Sequence, residues 1–180
     1  MYGMVNRGIE ELITAEYGPE VWADVKVSAA VDVDIFISNE DYPEEMTPAL
    51  VLASSKRLGV PEEEIMRKFG IHWVTQTAAR DYRDMLSAYG TSLREFLCNL
   101  PQLHQRISLL FPHLDPPTFR WSELRERSLH LHYHSRRSGY THFVEGLLLG
   151  LGLYFRQPVR VSMVALKSTG SDHDEFLVEW

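Results

Sequence analysis

The sequence predicts an α+β fold: a helical lobe followed by a lobe with a roughly four-stranded antiparallel sheet and packed helices. Three observations carry this expectation. Before residue 115 apolar side chains recur every three or four positions, as on helices with one buried face. At Asp115-Pro116-Pro117 two prolines stop any helix and force extended backbone, so the change of lobe is placed there. After it the apolar period falls to two, the mark of half-buried strands.

Helices are expected at Val5–Tyr17, Pro19–Val27, Pro48–Leu58, Glu62–Ala78, Asp81–Ala88 and Leu93–Leu110. Gly18, Gly59 and Gly90 supply the stops, while Thr47 with Pro48 and the Ser92 to Glu95 capping-box spacing supply starts. Between the second and third helices, Asp32 to Glu45 carries six acidic residues and no basic one, and reads as a solvated loop or short helix. Downstream, Thr118–Glu126 reads as a strand, and Leu129, Leu131 and Tyr133 alternate with His130, His132 and His134 to give another. A helix from about Tyr140 to Phe155 follows. Val159, Val161 and Met163, alternating with Arg160 and Ser162, form a third strand, and the turn Ser168-Thr169-Gly170-Ser171 precedes a last one, Glu175 to Trp180.

A chain of 180 residues, 44% hydrophobic and 24% charged, fits one globular domain with room for a sizeable core. Its 25 acidic against 18 basic residues leave a net charge of -7, which weighs against nucleic acid as a partner. Cys98, the single cysteine, can form neither an intramolecular disulfide nor a multi-cysteine metal site. Met1 to Glu10 lacks the apolar core of a signal peptide, and the longest apolar run, Gly146 to Phe155, is half of the roughly 20 residues that cross a bilayer. A cytoplasmic protein without a membrane span is expected.

Tyr133, Ser135 and Arg137 stand two apart at a strand end, so a strand reaching that far would project two hydroxyls and a guanidinium from one face. Such a face can hold a carboxylate, or it is ordinary surface polarity. His104 shares a helical stripe with Leu97, Leu100, Ile107 and Phe111, which makes it either a core histidine bonded to a carbonyl or an axial haem ligand. His130, His132 and His134 line the other strand face, as solvated groups or as part of a His-x-His metal site. Gly146 and Gly150 leave a strip of backbone which a flat group can approach closely, or which packs the helix tightly on the sheet. Cys98, six residues before His104, is off its helical face and reads as a small buried residue. No nucleophile elbow, HExxH, P-loop or dinucleotide motif occurs, and no constellation for catalysis stands out.

Several segments together carry a family likeness: Met1-Tyr2-Gly3-Met4-Val5-Asn6, then Asn99-Leu100-Pro101-Gln102-Leu103-His104, then Pro116-Pro117, then Tyr133-x-Ser135-x-Arg137. In this order they resemble the haem-nitric oxide/oxygen binding (H-NOX) family, the haem domain shared by bacterial gas sensors and soluble guanylate cyclase. The likeness spans essentially the whole chain and is strongest to cyanobacterial NO-sensing members. It implies a helical lobe over about residues 1–60 and a haem-binding α/β lobe over about 61–180, with the sheet from about 118. It implies haem b, with His104 as proximal iron ligand, Leu100 and its stripe beneath the porphyrin, and Tyr133, Ser135 and Arg137 on the propionates. Val5 and Pro117 match positions that press on the haem. Phe143 falls where dioxygen-binding members carry a tyrosine, Trp73 matches a second distal position, and Ile9, Val74 and Leu147 complete an apolar wall.

The expected function is therefore a gas sensor without catalytic activity, binding NO and CO at ferrous haem. Release of His104 would move its helix and alter the surface offered to a histidine kinase or a cyclic-nucleotide signalling protein. A bound dioxygen gains from a hydrogen bond that Phe143 does not supply, although the Trp73 indole and Tyr140 keep a dioxygen sensor as one alternative. The others are a zinc-dependent enzyme using the His130, His132, His134 face, and a haem-free interaction module.

Overall fold

The computed structural model describes residues 2–110 and 115–180. Met1 and Phe111 of the motifs above lie outside the described residues. The helical part runs through α1 (Gly3–Tyr17), α2 (Pro19–Ser28), α3 (Met46–Leu58) and α4 (Glu62–His72), which passes into a π-helical turn, Trp73–Ala78. The short helices α5 (Ala79–Asp81) and α6 (Arg83–Ala88) then lead to α7 (Leu93–Leu110). Strands β1 (Thr118–Ser122) and β2 (Ser128–His134) follow, then α8 (Thr141–Tyr154), β3 (Arg160–Ala165) and β4 (Asp174–Glu179). The four strands form one antiparallel sheet in the order β1-β2-β4-β3.

Local chemistry explains most boundaries. Gly59 closes α3 in the left-handed region at φ 68°. At the start of α7 the Glu95 amide donates to Ser92 Oγ at 3.3 Å, and the Glu95 carboxylate accepts the Thr91 amide and hydroxyl, each at 2.9 Å. This is a capping box with its return bond one residue early. α3 starts before Pro48 because Thr47 does not cap it: the Thr47 hydroxyl is buried and donates to Asn6 Oδ1 at 2.6 Å. The helix expected over Glu62–Ala78 leaves α geometry at Trp73, where Thr75 Oγ1 donates to the Ile71 carbonyl at 2.8 Å. β1 stops at Ser122 and not at Glu126, because Glu123 turns the chain at φ 48° and the Arg125 amide closes on the Ser128 carbonyl at 2.8 Å. The acidic segment is an irregular loop anchored by Phe36, which is buried between Trp22 and Tyr42.

Two hydrophobic cores result. One joins α1 to α4 through Ile9, Leu12, Ile13, Leu50, Ile65 and Phe69; the other joins α7 and α8 to the inner sheet face through Leu97, Leu129, Leu131, Leu148, Phe176 and Val178. Trp73 and Tyr140 pack against both. The Gly146–Gly150 strip packs on α4 and the π turn and not on the sheet: a Cβ on Gly146 would lie 2.1 Å from the Arg67 carbonyl oxygen, and one on Gly150 would meet Val74 and Ile71. Gly70 answers from α4, where a Cβ would lie 2.2 Å from the Phe143 carbonyl oxygen. The two helices thus cross backbone to backbone, and that strip has no room for a flat ligand.

Candidate functional site

Between α7 with β1 and β2 on one side, and the start of α1, the π turn and α8 on the other, lies a cavity of about 250 Å³. Its walls are almost wholly apolar, and its few polar groups sit at definite places.

His104 is one of them. α7 buries Leu93, Phe96, Leu97, Leu100 and Leu103, and helical spacing brings the imidazole to the same side, edge-on to Phe119 at 4.5 Å between ring centres. Its Nδ1 lies 3.2 Å from the Leu100 carbonyl oxygen. A carbonyl only accepts, so Nδ1 carries the proton and Nε2 keeps the lone pair. Desolvation pushes the imidazole pKa down to about 4, with the Leu100 bond opposing. At neutral pH the ring is uncharged and has a nitrogen lone pair to give.

The second polar place is the end of β2. The strand stops at His134, so Ser135 and Arg137 reach the cavity from the following loop and not from one continuous strand face. That loop folds on itself through the Arg137 amide, which donates to Ser135 Oγ at 3.1 Å. The guanidinium donates to the Asp115 carbonyl at 2.7 Å and to Glu44 of the acidic loop at 2.8 Å, holding the Glu44 carboxyl below its ordinary range. Burial raises the Tyr133 phenol, with a hydrogen bond to Ser135 opposing.

Leu100, Val5 and Pro117 line the cavity, as do Trp73, Val74, Phe143 and Leu147. Ile9 does not: it is fully buried in the helical core, and Met4 borders the cavity from α1. Sequence reasoning also passed over Tyr82, Leu86, Phe96 and Phe119, whose only signal is apolarity shared with every core residue. The Tyr140 hydroxyl is engaged by Thr47, toward the helical core. Cys98 contributes its carbonyl to the Trp121 indole and does not line the cavity. His130, His132 and His134 are not lining residues either; they occupy the opposite face of β2 from Tyr133.

A family profile described as Haem-NO-binding matches residues 2–163. The chain belongs to this family. Among curated proteins, soluble guanylate cyclase gcy-31 of Caenorhabditis elegans is 28% identical over 174 residues, covering 97% of this chain and 24% of that protein. Soluble guanylate cyclase gcy-33 of the same organism is 28% identical over 178 residues, covering 99% and 19% respectively. The chain thus spans a quarter or less of these relatives. An H-NOX protein from S. oneidensis in the Fe(II)NO ligation state superposes with a TM-score of 0.89 at 23% identity, covering 99% of this chain and 98% of that one. The unliganded Fe(II) H-NOX protein from K. algicida gives 0.84 at 19% identity, covering 99% and 96%. These likenesses show the H-NOX fold. Among the described residues no helix is long and apolar enough to cross a membrane.

The residues fit a haem. A flat apolar macrocycle needs a dry, apolar slot, its iron needs a neutral nitrogen ligand, and its carboxylates need donors at one edge. The cavity offers all three: apolar walls, His104 with its proton fixed on Nδ1, and Tyr133, Ser135 and Arg137 at the rim.

Proposed function

We propose that this chain is a cytoplasmic haem b sensor for nitric oxide and carbon monoxide, without catalysis of its own. The single observation that carries this is the desolvated, Nδ1-protonated His104 facing a haem-suited cavity in a chain of the Haem-NO-binding family. Bound haem supplies ferrous iron, which accepts a diatomic gas. His104 would hold that iron through Nε2, its ring fixed by the Leu100 carbonyl. Arg137 and Ser135 with Tyr133 hold the propionates by charge-assisted and neutral hydrogen bonds. Val5 and Pro117, which line the cavity, would press on the macrocycle.

Trp73, Val74, Phe143 and Leu147 exclude water on the gas side. Phe143 offers no donor, and the Tyr140 hydroxyl is already engaged by Thr47, which disfavours dioxygen relative to NO and CO. Were the hold of His104 on a bound haem to loosen, α7, which carries Leu100 and Leu103 along the cavity wall, would be free to shift. The output partner is a cyclic-nucleotide signalling enzyme, consistent with the guanylate cyclase relatives, or a histidine kinase.

Optical spectroscopy of the purified protein tests the reading. A Soret band stoichiometric with chain, lost in His104→Ala, and ferrous complexes with NO and CO are expected. A stable oxy spectrum in air overturns the selectivity, and an unchanged spectrum in His104→Ala overturns the ligand.

A further inference from the structure

We propose that His132, His173 and Glu175 form a second metal site, for a zinc-type divalent ion, on the outer face of the sheet. One ligand atom from each of the three lies within 4.8 Å of the others. The sheet register makes this a built arrangement: His132 and Glu175 are direct cross-strand partners on β2 and β4, and His173 precedes Glu175 by two residues. All three are half-buried.

The two imidazoles face each other, with His132 Nδ1 2.9 Å from His173 Nε2. In a tetrahedral zinc site with Zn–N bonds of about 2.0 to 2.1 Å, two nitrogens stand about 3.3 Å apart, so a small opening of this pair admits the ion. The remaining ring nitrogens are already held. His132 Nε2 pairs with Ser122 Oγ at 2.7 Å, and His173 Nδ1 pairs with the Asp172 carboxylate at 2.5 Å. Outer partners of this kind fix the tautomer and orientation of metal-bound histidines, and a carboxylate behind an imidazole raises its strength as a ligand. Glu175 is in turn oriented by His130, whose Nδ1 lies 2.5 Å from Oε1. His134 stacks on the His173 ring at 4.3 Å and confines it. The histidine trio read from the sequence is therefore split: one ligand, one residue that orients the carboxylate and one that packs on a ligand. Two imidazoles and one carboxylate suit zinc and leave a fourth position for water.

The test uses the haem-loaded protein, stripped with a chelator and titrated with Zn²⁺ by calorimetry, with elemental analysis after dialysis. One equivalent of zinc should bind, with affinity at least tenfold weaker in His173→Ala and in Glu175→Gln and unchanged in His142→Gln on α8. An unaltered Soret band in each variant shows that it has folded. Zinc-edge X-ray absorption of the unmodified protein supplies an independent readout, in which two imidazoles are expected around the ion. No saturable equivalent, affinity indifferent to His173 and Glu175, or a shell without imidazole overturns the proposal. Because haem content is followed separately, failure here leaves the gas-sensor reading standing.

Discussion

At the scale of single residues, the proposed haem site asks different things of two side chains. His104→Gly removes the ligand nitrogen and leaves the pocket, at a helix cost of about 1 kcal/mol. Added imidazole should restore the five-coordinate ferrous spectrum; a wild-type spectrum without imidazole would transfer the ligand role elsewhere. At the rim, Arg137 contributes charge and paired donors and Ser135 one hydroxyl. A charged hydrogen bond is worth about 1.5 to 3 kcal/mol and a neutral one about 1, so haem should leave Arg137→Ala severalfold faster than Ser135→Ala. Transfer of haem to an apoglobin measures both rates, and equal rates for wild type and Arg137→Ala would remove the propionates from this rim. Neither residue spoke for haem by its chemistry alone, since a histidine in an apolar stripe and an arginine beside hydroxyls also suit a core and a surface; it is their order along the chain, shared with the family, that singled them out, and the fold brings both to one cavity. Ile9 was assigned to the cavity wall by the family likeness alone; here α1 turns it into the helical core, and Met4 borders the cavity instead.

The helices and strands turn on close approaches that a period alone does not reveal. Gly146→Ala shows this most sharply, since alanine raises helix propensity by about 1 kcal/mol over glycine. The added Cβ would sit 2.1 Å from the Arg67 carbonyl oxygen, an atom of a helix backbone that cannot rotate away. Forcing α4 and α8 apart should therefore cost a net 1 to 3 kcal/mol or more by the usual scale of overpacking, roughly. Urea unfolding reads the result, and a more stable variant would show that the crossing is looser than it looks. α7 was expected over Leu93–Leu110 and occupies that span, because its starting cap and its apolar stripe are both local. β1 was expected four residues longer, and its end depends on Glu123 entering a left-handed turn, which no pattern of apolar residues announces.

Across the whole molecule, α1 is tied to the π turn and α5 by a polar network. The Glu11 carboxylate accepts from Arg80 at 2.8 Å, Thr77 at 2.9 Å and Arg7 at 3.1 Å. Burial alone would raise its pKa, but these bonds prevail and lower it below 4.5. A carboxyl lowered on folding contributes stability that is present above its unfolded value and is lost as pH falls through the folded one. Stability should therefore decline below about pH 4.5, and Glu11→Gln should lose about 1 to 2 kcal/mol at pH 7, allowing for the exposure of Arg80. Denaturant midpoints against pH check this: a Glu11→Gln curve parallel to wild type through the acid range would sink it. Such links between distant segments, like that from Arg137 to Glu44, join residues whose separation in the chain hides their meeting.

The π-helical turn at Trp73–Ala78 has a consequence for how this chain tolerates change in length. A π turn accommodates one residue more than an α turn over the same rise, so it acts as a spare residue folded into the helix. Deleting one residue there would let the turn relax to α geometry while Ile65 and Phe69 before it keep their faces toward the helical core. The same deletion within Glu62–His72 would swing every earlier side chain by about 100° relative to the later ones, since each residue advances an α-helix by that angle. Length variation in this helix is thus confined by geometry to the stretch that borders the cavity, and a pocket can gain or lose a side chain there without the rest of the fold moving out of register.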